Sequence, residues 1–266
     1  MTAVLKSCTG KIYGQSVLKG FGTQWKKYEA QIRCNSDDKE ACFGLYLNAP
    51  GEVIVDVVSL FPPTYKGRKN GLRPELAQLL AEMKPAFIRF PGGCYVEGEG
   101  SYENAFQWRK TIGNIEERPG HWNRNWGYRS TDGLGYDEYL QMCEDLHAAP
   151  LFVVNVGLGH KYVGNVEAWG TDHPSWRNDH LVDLLDEHYY RSYSWMRDNF
   201  TKYDNYGRGN VQIYVGEYVA NADGTYGKNG TIQSALGEAI FMMGMERNGD
   251  VCAMSSFAPI FTHEKD

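Results

Sequence analysis

The residues most able to do chemistry in this sequence stand at the ends of short apolar runs. In Val211-Gln-Ile-Tyr-Val-Gly-Glu-Tyr218 a carboxylate, Glu217, closes an otherwise apolar row. Side chains alternate across a strand, so Ile213, Val215 and Glu217 are expected to share one face. An unpaired buried carboxylate is costly, so Glu217 must reach water or meet a cation or hydrogen-bond donor. A rim salt bridge would meet that need with no catalysis at all. Asp186, His188 and Tyr190 lie two apart in another run and should point the same way. A neutral imidazole and a phenol beside a carboxylate can position it or bind ligand hydroxyls, although a strand-end His is more often only a satisfied polar residue. Arg89 belongs to Ala86-Phe-Ile-Arg-Phe90, and a guanidinium beside a carboxylate favours its ionised form. Pro91-Gly-Gly93 follows and would let backbone approach a ligand closely.

The elements that must position these groups alternate in kind. Pro74 opens a segment with Leu76, Leu79, Leu80 and Met83 at i, i+3, i+4 and i+7, which Pro85 closes: an amphipathic helix. It leads into the strand pattern Ala86 to Phe90. A second helix is expected from Tyr136 to about His147, with Tyr136, Tyr139, Leu140, Cys143 and Leu146 on one face, leading into a strand from Leu151 to Val156. Then come a strand ending at Asp186 to Tyr190, a short helix near Trp195, the strand Val211 to Glu217, a helix from about Ile232 to Arg247, and a strand from Val251 to Ser255. Such alternation implies an α/β architecture with parallel strands. Arg89, Asn155, His188, Glu217 and Ser255-Ser256 gather after strands, where (β/α) barrels and open doubly wound sheets alike keep their sites.

The first sixty residues differ. Trp25, Tyr28, Ala30 and Ile32 are near-alternating, then the runs Cys42 to Leu47 and Val53 to Val58 follow, separated by turn chemistry. Antiparallel β structure is expected over 1–60, with Trp25 inside it, because large aromatics are highly buried on average.

Composition narrows the partners. The net charge of −6 argues against nucleic acid or an anionic membrane, which call for clustered Lys and Arg. No apolar run approaches a membrane span. The six cysteines lack C-x-x-C spacing, so no metal site is expected, and buried free thiols are the plain reading. No cofactor is indicated. Met1 to Gly10 shows no export signal, and oligomeric state and compartment are left open. The 18 Tyr, 7 Trp and 11 Phe could stack on sugars as well as fill a core.

The run Phe87-Ile-Arg-Phe-Pro-Gly-Gly-Cys-Tyr-Val-Glu-Gly98 resembles a signature of the α-L-arabinofuranosidases of glycoside hydrolase family 51. So do Phe106-Gln-Trp-Arg-Lys-Thr-Ile-Gly113, Glu117-Arg-Pro-Gly-His121, Asp132-Gly-Leu-Gly-Tyr136, Phe152-Val-Val-Asn-Val-Gly-Leu-Gly-His160, Asp186-Glu-His-Tyr-Tyr190 and Gly216-Glu-Tyr218. The resemblance runs from about residue 53 to the C-terminus. Residues before it are similar to the last strands of a carbohydrate-binding β-sandwich. The resemblance implies a partial (β/α)8 barrel over 61–266, preceded by an antiparallel β-sandwich remnant over 1–60. It also implies a retaining hydrolase that releases arabinofuranosyl groups from arabinan or arabinoxylan by way of two carboxylates. Glu217 corresponds to the nucleophile, and His188 and Tyr190 to residues of the sugar pocket. Arg89 and Asn155 join the expected substrate-binding set. Cys94 stands where other branches of the family carry a sugar-contacting Asn.

The departures from the family are equally specific. The family carries its acid/base Glu in Gly-Asn-Glu, a tripeptide found nowhere here. Only the 25 residues Lys161 to Leu185 separate His160 from Asp186, too few for two strand–helix units. Five parallel strands are expected, where a complete barrel has eight. The family's first strand should precede the sandwich, and its C-terminal β domain should follow Asp266. The expectation is a truncated, internally deleted family member lacking its acid/base, with Glu167 and Asp172 the nearest substitutes. The rivals are a non-catalytic carbohydrate-binding protein and an unstable fragment.

Overall fold

The computed structural model describes residues 1–155, 183–209, 211–221 and 230–261. Contacts divide the chain into two units, Met1–Leu60 and Phe61–Asp266. Among the described residues no helix is long and apolar enough to cross a membrane.

In the first unit, β1 (Thr2–Lys6) is paired antiparallel on one edge with β2 (Ile12–Val17) and on the other with β3 (Cys42–Tyr46). The central strand carries the buried side chains Ala3 and Val4. β3 forms where the sequence predicts a strand. Val53 to Val58 does not: it pairs with no strand among the described residues, and Ile54, Val55, Val57 and Val58 are exposed. A β-branched run becomes a strand only where a ladder partner satisfies its backbone, and Val57 instead takes φ 45°. Trp25 corrects another expectation, being 74% exposed. Residues 24–34 form no strand that would turn alternate side chains inward, and Phe21 stacks on Tyr28 with ring centroids 4.6 Å apart. The cysteines also depart from expectation. Cys143 is buried, but Cys8, Cys34 and Cys42 are exposed.

In the second unit strands and helices alternate as predicted. The helices among the described residues are α1 (Pro74–Met83), α2 (Gly93–Glu97), α3 (Tyr136–Leu146), α4 (Tyr193–Asp198) and α5 (Ile232–Arg247). β4 (Phe87–Phe90) pairs in parallel with β7 (Ala149–Phe152). β8 (Leu184–Ser192), β9 (Gln212–Asn221) and β10 (Cys252–Phe257) form a second parallel sheet, in the order β10-β9-β8. The short antiparallel ribbon β5 (His121–Asn123) and β6 (Tyr128–Ser130) lies between α2 and α3 in sequence. The described strands form separate sheets and no closed barrel.

Pro74 stands at the first turn of α1, where its missing N–H costs nothing, and Lys84 ends the helix in the left-handed conformation. The predicted apolar face is only partly used. Ala77 is buried and Leu80 and Ala81 pack towards Met142 and Leu146 of α3, whereas Leu76, Leu79 and Met83 are exposed. Glu75, Gln78 and Glu82 mark the polar side of the helix, and within the apolar remainder the side with two alanines is the one that packs. The core behind the second sheet joins Ile213, Val215, Tyr218 and Ala220 of β9 to Met196 of α4 and to Phe241 and Met245 of α5. Glycines bring the two helices together: Gly237 lies against Tyr193, and Gly244 against the carbonyl of Phe200, leaving no room for a methyl group.

Candidate active site

β9 continues past Glu217 to Asn221, so the carboxylate sits within the strand and not at its end. Its direction also differs from expectation. Ile213 and Val215 belong to the helix-facing core, and strict alternation would send Glu217 the same way. The register prevents it. Along β8 the pairing steps from Asp186–Tyr214 to His188–Glu217, and along β10 from Ser255–Val215 to Phe257–Tyr218. On both edges β9 therefore spends one additional residue between Tyr214 and Tyr218. Such a bulge re-aims the side chains that follow it. Tyr218 and Ala220 return to the helix-facing core while Glu217 turns to the opposite face.

On that face Glu217 meets three of the predicted partners. Arg89 donates from Nη1 to Oε1 at 2.9 Å, and the Tyr190 hydroxyl donates to Oε2 at 2.6 Å. His188 Nδ1 lies 3.6 Å from Oε2. The other imidazole nitrogen, Nε2, is 3.0 Å from Oδ2 of Asp186. Asp186 in turn accepts the Gly216 backbone N–H at 2.9 Å and lies 3.9 Å from Arg89 Nη2. Two carboxylates are thus bridged by one imidazole and flanked by one guanidinium. The ion pair is the deeper part, with side-chain exposures of 11% for Arg89 and 17% for Glu217. His188 and Asp186, at 37% and 40%, face the opening.

The hydrogen bond to Asp186 raises the proton affinity of His188. Burial opposes it, and the charge of Glu217 adds to it, so the imidazole keeps its proton above the ordinary histidine range. A protonated His188 balances the local charge at two cations against two carboxylates.

The Pro-Gly-Gly turn closes over this pair. A methyl group on Gly93 would lie 3.9 Å from both Arg89 Nη2 and Glu217 Oε1, and Gly92 has φ 108°, which favours glycine. Cys94 comes next, partly buried in α2, and its carbonyl accepts from Asn125 Nδ2 at 2.8 Å. Asn155 contacts α2. It is buried, and its Nδ2 donates to the Val96 carbonyl at 3.2 Å, so it braces α2 from behind. Glu167 and Asp172 lie outside the described residues.

Asp186 is the participant that sequence reasoning undervalued. Its parity with His188 and Tyr190 put it on the right face, but its role comes from a backbone N–H thirty residues away. The alternate residues of the same motif serve the other face. Glu187 accepts from the hydroxyls of Tyr189, Tyr203 and Tyr206, and burial pushes the Tyr189 and Tyr203 phenols far up. The Glu117 to His121 motif is also scaffolding. Arg118 makes a two-pronged buried pair with Glu138 of α3, each bond 2.9 Å, and His121 Nδ1 lies 2.8 Å from buried Asp132.

Comparison with known proteins gives two family matches. The model of the α-L-arabinofuranosidase 1 domain matches residues 79–171, and that of the α-L-arabinofuranosidase C-terminal domain matches 201–266. The latter already takes in β9, α5 and β10, which corrects the expectation that the family's C-terminal domain follows Asp266. The chain is 31% identical to α-L-arabinofuranosidase 1 of Arabidopsis thaliana, over 92% of this chain and 46% of that protein. It is 30% identical to the extracellular exo-α-L-arabinofuranosidase of Streptomyces chartreusis, over 99% of this chain and 43% of that protein. It therefore spans less than half the length of these curated relatives. The matched spans, 322 and 364 residues, exceed the 266 of this chain, so within them the relatives carry residues with no counterpart here. An arabinose-bound family 51 α-L-arabinofuranosidase superposes with a TM-score of 0.80 at 26% identity, covering 99% of this chain and 57% of that one. The arabinose complex of the Thermotoga maritima enzyme shares the fold at 15% identity, with a TM-score of 0.54 over 74% of this chain and 59% of its own.

Proposed function

Because this chain belongs to the α-L-arabinofuranosidases of glycoside hydrolase family 51, we propose that Glu217 is the nucleophile of a retaining displacement on terminal α-L-arabinofuranosyl groups. The observation that carries this reading is the bulge in β9, which lifts Glu217 out of the helix-facing row and onto Arg89, His188 and Tyr190. Each Glu217 oxygen has a fixed donor and keeps a second lone pair for attack. Arg89 and Tyr190 hold the carboxylate against rotation, so the attacking oxygen is oriented before substrate arrives. His188 and Asp186, at the opening, bind sugar hydroxyls as donor and acceptor. Cys94 lines the site beside the glycine turn, and Asn155 acts through α2.

The two parallel sheets are read as arcs of a (β/α) barrel, and residues 1–60 as the end of a carbohydrate-binding sandwich. The parent activity is release of arabinose from arabinan or arabinoxylan. A retaining glycosidase needs a second carboxyl group about 5 Å from the first to protonate the leaving oxygen. The sequence carries no Gly-Asn-Glu to supply it. General acid help is worth roughly 10²- to 10⁴-fold, about 3–5 kcal/mol of barrier. This chain should therefore attack a sugar bearing a good leaving group and fail on a sugar alkoxide.

The test is turnover of a dinitrophenyl α-L-arabinofuranoside, with and without azide, beside release of arabinose from arabinan. The expected result is a burst of phenolate, faster turnover with azide, a glycosyl azide of retained configuration, and no cleavage of arabinan. Full activity on arabinan without azide would show that a general acid is in place and contradict its assigned loss. Failure of a folded protein to release any phenolate would favour the non-catalytic binding protein.

A further inference from the structure

We propose that Cys8 and Cys42 form a cross-strand dithiol that is a site of disulfide formation, with a small-molecule disulfide such as oxidised glutathione as the oxidant. Cys42 opens β3 opposite Lys6 of β1, and Cys8 lies two residues beyond Lys6. Cys8 stands in the turn that follows β1, which brings its thiol back to the start of β3. Their Sγ atoms are 3.3 Å apart, and the Cys8 thiol also donates to the Glu40 carbonyl at 3.1 Å. Bond formation needs the sulfurs to close by only about 1 Å. Both cysteines are exposed, so an oxidant in solution can reach them.

The chemistry balances with that oxidant alone. One protein thiolate attacks the oxidant's S–S bond, forming a mixed disulfide and expelling one glutathione thiolate. The second protein thiolate attacks the protein-side sulfur of the mixed disulfide and expels the other. The protein loses two hydrogens, and the oxidant is reduced to two thiols. The hydrogen bond to Cys42 holds the Cys8 thiol above its ordinary proton affinity, so the exchange quickens as pH rises.

The consequence follows from where the link lies. Between the end of β2 at Val17 and the start of β3 at Cys42 the chain forms no strand or helix. Joining Cys8 to Cys42 ties the base of this excursion to the sheet, and closing a long loop removes more freedom from the unfolded chain than closing a short one. Cys34, exposed within that excursion, is an internal reference thiol.

The experiment equilibrates the full chain, Cys8→Ser and Cys42→Ser in glutathione redox buffers, followed by intact mass, non-reducing peptide mapping and limited trypsin digestion. The expected result for the unaltered chain is a product lighter by two hydrogens at this pair, with the Cys8 and Cys42 peptides joined. Trypsin should then cut between Lys19 and Lys39 several-fold more slowly than in the reduced protein. In each single variant the remaining thiol should carry glutathione and the slowing should vanish. Separate glutathione adducts on Cys8 and Cys42 in the unaltered chain would overturn the proposal, as would a link from either of them to Cys34.

Discussion

Asp186 and Gly216 decide where His188 stands, and His188 in turn bridges the two carboxylates. Its raised proton affinity gives a pH dependence of known sign. The contacts of protonated His188 contribute fully below the ordinary histidine value of 6.5 and are lost as pH rises through the higher folded-state value. An NMR titration of the imidazole should show a midpoint above 6.5, and Asp186→Asn should bring it down. A midpoint at or below 6.5 would contradict the bridged geometry. Gly216 is a second test, because a methyl group there overlaps the Asp186 carboxylate. Gly216→Ala should displace Asp186, lower the His188 midpoint and reduce phenolate release at least tenfold, with kcat affected more than KM. At this scale the sequence was informative about residue types and faces. Period two placed His188 and Tyr190 together, and Arg89 stood beside a glycine turn. It could not reveal which backbone N–H Asp186 would accept, because that contact depends on the register between β8 and β9.

The bulge in β9 belongs to the element scale, and its location explains why it escaped sequence reading. Ile213, Val215 and Glu217 fit simple alternation, and an inserted residue leaves no compositional mark. Helices were more legible, since Pro74, Pro85 and the apolar spacing mark α1 closely. The face α1 would bury was not legible, because Leu76, Leu79 and Met83 compete with Ala77, Leu80 and Ala81. Replacing Leu79 by Glu and Met83 by Lys should therefore change unfolding free energy in urea by no more than about 0.5 kcal/mol each. Gly244 should behave in the opposite way. Its neighbour is the Phe200 carbonyl, which moves only with the backbone, so Gly244→Ala should cost roughly 1–3 kcal/mol through overpacking of α5 on α4. Equal and small effects at all three positions would mean that α5 does not approach the α4 region as described. Val53 to Val58 marks the limit of propensity: a β-branched run with no partner strand among the described residues stays exposed.

At the scale of the whole molecule, the site depends on a contact between residues 128 apart, Arg89 on the β4–β7 sheet and Glu217 on the β8–β9–β10 sheet. The order of strands and helices was legible because hydrophobic period and proline placement are local properties. The meeting of the two sheets was legible only through resemblance to the family, because periodicity cannot say how sheets face each other. Breaking that contact should be costly. Arg89→Met leaves the mostly buried Glu217 without its nearest cation, and the loss should be about 2–4 kcal/mol in urea unfolding, beyond any loss of activity. The claim on which the account rests is that the carboxylate so held is a nucleophile. Intact mass of the full chain after incubation with a dinitrophenyl α-L-arabinofuranoside, followed by peptide mapping, measures this directly. The expected result is one arabinofuranosyl group esterified to Glu217, absent from Glu217→Gln and discharged by azide. A folded protein that releases phenolate while Glu217 stays unlabelled, or carries the sugar on another residue, would contradict it.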